Sequence, residues 1–313
     1  MADRVLISCP QMQVSFPAFE EQFRALGIEA DLPPVEQALS EAKLLEIIDR
    51  YDGVIAGDDE FTARVLARAT RLRILSKWGV GVDGIDREAA ARAGIPVTNT
   101  PGTFDGEVAD VCIGYLVLLA RGLHRLDAGV RAGGWPKIEG TSLAGKRLVI
   151  VGLGGIGSAL ARRAAAMEMT VIGCDADEGA RDRALASGVD VRDLRDALAI
   201  ADFLSLNCPL TPQSRHLVNS ESLALMPRGA YVINTARGGL VDEAALVAAL
   251  TSGQVAGAAL DVLEREPPAA DNPLRRFDTV IFGTHNASNT AEAVQRVSER
   301  AVDNLLRGLA APA

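Results

Sequence analysis

The sequence predicts an α/β chain built from two doubly wound parallel sheets. Short apolar runs alternate with amphipathic stretches along the whole chain. That rhythm restarts after a glycine-rich interruption at Gly133, Gly134 and Gly140. Such alternation builds parallel strands with helices on both faces. The length, 313 residues, suits two domains of about 150 residues each.

The elements follow in order. Residues 4–8 read as a strand, and 18–26 as a helix closed by Gly27. Residues 35–50 read as a second helix, with Leu39, Leu44, Leu45, Ile47 and Ile48 on one side. A strand at 53–56, a helix at 62–69, a strand at 72–76, a helix at 86–93 stopped by Gly94 and a strand at 95–98 complete the first series. Residues 104–122 form one long helix that is apolar almost all round, which buries it between layers. The chain passes from one domain to the other there. The second series has strands at 147–151, 170–174, 203–207, 231–234, 257–261 and 279–283, a helix at 156–166 and a closing helix at 292–309. No internal repeat is visible.

The formal charge is −9, which argues against broad nucleic-acid binding, since that needs a basic face to neutralise phosphates. Aromatic residues are only 4%, so the core must be mainly Ala, Val, Leu and Ile. The longest apolar run, residues 111–120, is about half a membrane span, and the first ten residues lack a signal-peptide layout. Cys9, Cys112, Cys174 and Cys208 are widely and irregularly spaced. They fit neither a zinc site nor a disulfide framework, and read as reduced thiols of a cytoplasmic protein.

The pattern G-x-G-x-x-G occurs twice. Gly152, Gly154 and Gly157 follow the apolar strand RLVIV and open a small-residue helix. The next strand, TVIGC, ends in Asp175, 18 residues beyond Gly157. This is dinucleotide-fold spacing: one glycine for the tight turn, one for backbone approach to the pyrophosphate, one for helix–strand packing. The helix N-terminus offers unpaired N–H groups to phosphate. Asp175 would accept the ribose hydroxyls and repel a 2′-phosphate, which favours NAD over NADP. The second copy, Gly79, Gly81 and Gly84, follows the strand RILSKW, but the next strand carries no acid at its end. Gly79–Gly81 therefore reads as a close-approach loop whose backbone N–H groups face a small anion.

Of the three histidines, His124 lies among RGLHRL and reads as a helix-terminal or packing residue. His216, in TPQSRHLVN, reads as a local cap or contact. His285 directly follows the last apolar strand, at a carboxyl edge where open α/β sheets bind ligands, and is the best general base by position. Arg237 follows the strand YVINTA and can grip a carboxylate with two parallel hydrogen bonds. A carboxylate touching His285 would set its tautomer and favour its protonated form. Glu264 and Glu266, in LEREPP, are both available for that role.

Together these segments resemble the NAD-dependent D-2-hydroxyacid dehydrogenase family, closest to its D-3-phosphoglycerate dehydrogenase type. The carriers are KWGVGVDGID (77–86), NTPG (99–102), VGLGGIG (151–157), CPLTPQSRHLVN (208–219), INTARGGLVDEAAL (233–246), ALDVLEREPP (259–268) and TH (284–285), spread over essentially the whole chain. The resemblance implies Arg237 as carboxylate binder, His285 as acid/base and Glu266 as its partner. It implies substrate contacts from the backbone of Gly79, Val80 and Gly81, and a basic residue, Lys77, facing the far end of the substrate. Cofactor contacts would come from Gly152, Gly154, Gly155, Ile156, Gly157, Asp175, Cys208, Pro209, Thr211, Ala236 and Asp261. The cofactor would be NAD, with no metal. A flavodoxin-like substrate domain (1–99 plus 287–313) would flank a Rossmann NAD domain (100–286), with closure between them excluding water.

In one place the chain departs from the family, which usually has Pro before the catalytic histidine; here it is Thr284. Asn286, Ser288 and Asn289 follow, and could meet a polar substrate tail or phosphate or cap the closing helix, with capping favoured for Asn289 and Asn286 left open. The chain stops soon after the last helix, so an added regulatory domain is not expected. The apolar helix at 104–122 is expected to pack against a second subunit in a homodimer. Three activities fit the resemblance: first, interconversion of 3-phosphoglycerate and 3-phosphohydroxypyruvate, favoured by Lys77 and a substrate negative at both ends; second, reduction of an unphosphorylated 2-keto acid such as glyoxylate or hydroxypyruvate; third, NAD sensing by a corepressor-like binding protein.

Overall fold

The computed structural model describes residues 2–311. The first series of elements is β1 (Asp3–Ile7), α1 (Pro10–Ser15), α2 (Glu20–Ala25), β2 (Ile28–Asp31), α3 (Glu41–Ile47), β3 (Gly53–Ala56), α4 (Ala63–Arg68), β4 (Ile74–Lys77), α5 (Arg87–Arg92) and β5 (Val97–Thr98). The second begins with α6 (Asp105–Arg121) and α7 (Leu123–Arg131). It continues through β6 (Arg147–Val151), α8 (Gly155–Ala166), β7 (Thr170–Cys174), α9 (Glu178–Ala186), β8 (Asp190–Val191), α10 (Leu194–Leu198) and β9 (Phe203–Leu206). Then come α11 (Ser220–Leu225), β10 (Ala230–Asn234), α12 (Glu243–Ser252), β11 (Val255–Leu260), β12 (Val280–Phe282) and α13 (Ala291–Ala310). The chain divides into two compact units, one running through Phe104 and resuming at Asn289, the other spanning Asp105–Ser288.

The first unit holds a five-stranded sheet, in the order β2-β1-β3-β4-β5, parallel throughout. β3 and β4 are buried along their whole length, as strands covered on both faces must be. The closing helix α13 belongs here because its stripe of Ala293, Val297, Ala301, Val302, Leu305 and Leu309 is buried. Gly308 lets it approach closely: a β-carbon there would lie 2.5 Å from Ile74. Ser76 Oγ donates to the Ala301 carbonyl at 2.9 Å, and Trp78 Nε1 donates to Ser298 Oγ at 3.0 Å.

Three expectations change in this unit. Residues 35–40 are not helical, and α3 starts only at Glu41. The buried Asp59 carboxylate takes the Leu39 N–H at 2.7 Å, and the Leu39 carbonyl accepts the Glu60 N–H. Both backbone groups that a helix would use are thus committed elsewhere. β2 is an edge strand the pattern hid, because Ile28-Glu29-Ala30-Asp31 is half polar. Thr290, not Asn289, caps α13: its side chain accepts the Ala293 N–H at 3.1 Å.

The second unit holds a seven-stranded parallel sheet, in the order β12-β11-β10-β9-β6-β7-β8. The strand order reverses between β6 and β9, the place where such sheets bind ligands beyond their carboxyl ends. α6 is buried along Val108, Ala109, Cys112, Tyr115, Leu116, Leu119 and Ala120. It ends where Gly122 turns left-handed at φ 60°, and α7 follows at once. His124 is therefore in the first turn of α7, where its Nε2 lies 3.0 Å from the Asp278 carbonyl.

Candidate active site

At the end of β6 the chain turns on Gly152, at φ 97°. A β-carbon there would lie 2.6 Å from Asn207 C and Cys208 N, so only glycine lets β6 and β9 end this close together. A β-carbon on Gly157 would collide with the Gly152 carbonyl, which keeps α8 tight on the turn. Gly154 faces open space, with nothing within 4 Å of a β-carbon placed on it. The 12-residue helix α8 begins there with no side-chain cap. Its first amides are therefore available to an anion.

Asp175 stands beside this turn. Its carboxylate accepts the Leu153 N–H at 2.6 Å and the Asp177 N–H at 2.9 Å. Ionised, it has further lone pairs for ribose hydroxyls. Turn, open glycine, uncapped helix and acid together fit a dinucleotide. After β9, Ser214 Oγ donates to the Pro209 carbonyl at 2.8 Å and accepts the Thr211 N–H at 2.8 Å, which folds the Cys208–Pro209–Thr211 segment into a turn. Burial pushes the Cys208 thiol up to about 11. On the other side, Asp105 at the start of α6 rests over Gly155, where a β-carbon would collide with its carboxylate. Burial, then the neighbouring Glu107, raise this carboxyl above its ordinary range.

The catalytic candidates sit at the ends of β10, β11 and β12. Buried Asn234 closes β10: its Nδ2 donates to the Arg237 carbonyl at 2.8 Å and its Oδ1 accepts the Ala236 N–H at 3.1 Å. That fixes the turn carrying half-buried Arg237, whose Nη1 donates to the Ala236 carbonyl at 2.8 Å. Gly238 is pressed onto the Leu263 carbonyl, where any side chain would collide. This contact brings the Arg237 turn against the segment that carries the two glutamates.

The structure separates those glutamates. Glu266 Oε2 lies 2.8 Å from His285 Nδ1, and Glu266 Oε1 accepts the Leu263 N–H at 3.0 Å. Glu264 instead pairs with His216, with Oε1 2.6 Å from Nε2. His216 is thus not a local cap: it bridges 48 positions and joins the segment after β9 to the one after β11. The left-handed backbone of His285, at φ 55°, is held by Asp261. The Asp261 carbonyl accepts the His285 N–H at 2.7 Å, and its carboxylate accepts the N–H groups of Asn286 (3.2 Å) and Ala287 (2.9 Å). Tyr115 Oη donates to the same carboxylate at 3.5 Å. Sequence reasoning missed Asn234 and Tyr115; a polar residue closing an apolar strand was the available signal for Asn234.

In the first unit, β4 leads into the Gly79–Val80–Gly81 turn. Gly79, at φ 118°, donates its N–H to Thr100 Oγ1 at 3.0 Å. That amide, expected to face an anion, is thus used internally. Lys77 is buried: its ammonium donates to the Trp78 carbonyl at 2.7 Å and pairs with Asp58 Oδ1 at 3.2 Å. Among the described residues, no cluster of three or more His, Cys, Asp or Glu is placed to hold a metal ion.

The second unit, with its switch-point glycines, acid and His–Glu pair, is of the dinucleotide-binding α/β class. Residues 113–287 match the family described as "D-isomer specific 2-hydroxyacid dehydrogenase, NAD binding domain". The chain belongs to that family, and its cofactor is NAD. It is 39% identical over 284 residues to a D-3-phosphoglycerate dehydrogenase of Methanocaldococcus jannaschii, covering 90% of this chain but 54% of that protein. The chain thus spans about half the length of that relative. It is 34% identical over 304 residues to a hydroxypyruvate reductase of Thermotoga maritima, covering 96% of this chain and 98% of that one. Among solved structures it resembles a D-lactate dehydrogenase of Aquifex aeolicus complexed with NAD and lactic acid. That match has a TM-score of 0.85 and 26% identity, and covers 98% of this chain and 96% of that one.

Proposed function

We propose that this protein interconverts a small D-2-hydroxy acid and its 2-keto acid. The observation that carries the reading is the Glu266–His285 pair at 2.8 Å beyond the carboxyl ends of the sheet, with Arg237 on a neighbouring turn. Bound NAD supplies the hydride acceptor or donor for C2 of the substrate. In reduction, His285 gives the proton on Nε2 to the 2-keto oxygen; in oxidation it takes the hydroxyl proton back. Glu266 holds Nδ1 and stabilises the imidazolium. Arg237 takes the substrate carboxylate as a bidentate guest. The proposed cofactor residues are Gly152, Gly154, Gly155, Ile156, Gly157, Asp175, Cys208, Pro209, Thr211 and Ala236. We assign Asp261 chiefly to holding the His285 backbone, and Val80 and Gly81 to the carboxylate.

For the substrate we favour an unphosphorylated keto acid of the hydroxypyruvate or glyoxylate type. Lys77, the cation expected to meet a phosphate, is already neutralised by Asp58 at 3.2 Å. The second reading is 3-phosphoglycerate oxidation, favoured by likeness to the Methanocaldococcus jannaschii enzyme. The experiment measures NADH loss with hydroxypyruvate and glyoxylate beside NADH formation from D-3-phosphoglycerate. Turnover confined to phosphoglycerate and reduced in Lys77→Ala would reverse the preference. NADH binding without turnover of any acid would point to the sensing class.

The homodimer is expected from the sequence through the helix at 104–122, but α6 buries most of its apolar residues within its own unit; we instead assign a second copy of this chain to the exposed apolar residues Leu123, Val130 and Trp135, the last 78% exposed. No residue of α7 is buried, and a helix this amphipathic is usually covered. Light scattering of Trp135→Ser against wild type tests the homodimer. The four free cysteines support a reducing, cytoplasmic location, and no described helix is long and apolar enough to cross a membrane.

A further inference from the structure

We propose that Asp105 is a built-in counter-anion of the cofactor site, a carboxylate that weakens the grip of α8 on the NAD pyrophosphate. The inference rests on the NAD assignment and not on the identity of the substrate.

The geometry comes from two helices. α6 packs along α8, and Arg163 Nε donates to Asp110 Oδ1 at 2.6 Å, which fixes one helix against the other about a turn beyond Asp105. This places Asp105 over Gly155, the first residue of α8. The two positions are matched. Any side chain at 155 would collide with the carboxylate, so glycine there leaves the volume that Asp105 occupies. Three residues earlier in the same turn, the contrast is with Gly152, whose β-carbon would strike backbone; at Gly155 the obstacle is a charged side chain.

Asp105 makes no hydrogen bond or ion pair among the described residues. It neither caps α8 through a side-chain hydrogen bond nor is neutralised by an arginine or lysine. Arg163 of α8 is committed to Asp110. The remaining charged neighbour, Glu107, has the same sign. A carboxylate has a structural reason to lie there without cofactor, because the positive end of the α8 dipole favours any anion. A pyrophosphate drawn to the same amides meets that charge. Two anions sharing one helix end repel, and the half-buried setting screens them less than open solvent would.

The consequence is a cofactor site set weaker than its glycine turn allows. The test measures binding alone, by isothermal titration calorimetry of NADH, ADP and adenosine with wild type, Asp105→Asn and Asp105→Ser. Removing the charge is expected to tighten NADH and ADP by about tenfold, leave adenosine unchanged, and lose most of that gain at about 1 M salt. Equal or weaker NADH binding in both variants overturns the proposal, as does equal tightening of adenosine, which carries no phosphate. If Asp105→Asn does not fold, Asp105→Ser decides alone, its fold checked by circular dichroism. Failure of wild type to bind NADH at all would instead overturn the cofactor assignment, and this inference with it.

Discussion

Glu266 is held at both ends: Oε1 accepts the Leu263 amide at 3.0 Å and Oε2 meets His285 Nδ1 at 2.8 Å. The carboxylate therefore reaches the imidazole from a fixed position. His285→Ala should lower kcat by about 10²–10⁴-fold while leaving NADH affinity unchanged. Glu266→Gln keeps the shape but not the charge, and should cost at least about tenfold in kcat. Stopped-flow turnover beside NADH titration checks both. Full activity in either variant would remove the pair from the chemistry.

Arg237 is offered to a carboxylate by a turn that Asn234 folds from within. Lysine cannot reproduce a two-pronged guanidinium grip. Arg237→Lys should therefore raise KM, and Arg237→Ala should lower kcat/KM by about a hundredfold, the scale of one or two charged hydrogen bonds. A substrate titration at saturating NADH reads this directly. An unchanged kcat/KM in the alanine variant would place the carboxylate elsewhere.

Asp261 offers a choice between two roles. Its carboxylate serves the amides of Asn286 and Ala287, and its carbonyl serves the amide of His285. Asp261→Asn should then cost about 2 kcal/mol of stability and reduce kcat, with NADH affinity preserved. Urea unfolding and calorimetry together decide. A loss of NADH affinity with stability intact would return this residue to the cofactor.

The thiols make a pH prediction. Burial pushes Cys208 to about 11, and Cys9 and Cys174 to about 12, from the ordinary 9.0. At pH 8 roughly one Cys208 sulfur in a thousand is thiolate. Iodoacetamide should label the folded protein slowly until the pH approaches 11. The sign for stability follows from raised folded-state values. The contribution is fully present below pH 9, where both states keep their protons. It is lost as pH rises from 9 toward 12, because the unfolded chain ionises first. Melting temperature should fall over that window, and a flat profile would contradict it.

Much of this was legible in the residues. The run RLVIV, the three glycines and Asp175 lie within one local βαβ unit, so their spacing carried their geometry. His285 and Arg237 were readable because each directly follows an apolar strand, and strand ends in a parallel sheet share one edge. Other features were not readable. The helix expected at 35–50 fails before Glu41 because Asp59, 20 positions from Leu39, claims its amide. Asn289 yields the helix cap to Thr290, one position on. Sequence patterns report periodicity, and these outcomes turn on single hydrogen bonds.

By itself, then, the sequence determined the fold class, the NAD turn and the family, and nominated Arg237 and His285 for chemistry, because each is encoded in short-range spacing or in its place after an apolar strand. Only the tertiary structure decided which glutamate meets His285 and which meets His216. Only it showed that Lys77 is neutralised by Asp58, and that Asp105 lies over Gly155. Those pairings join residues from different turns and helices. Their partners are chosen by how the elements pack, which no local pattern records.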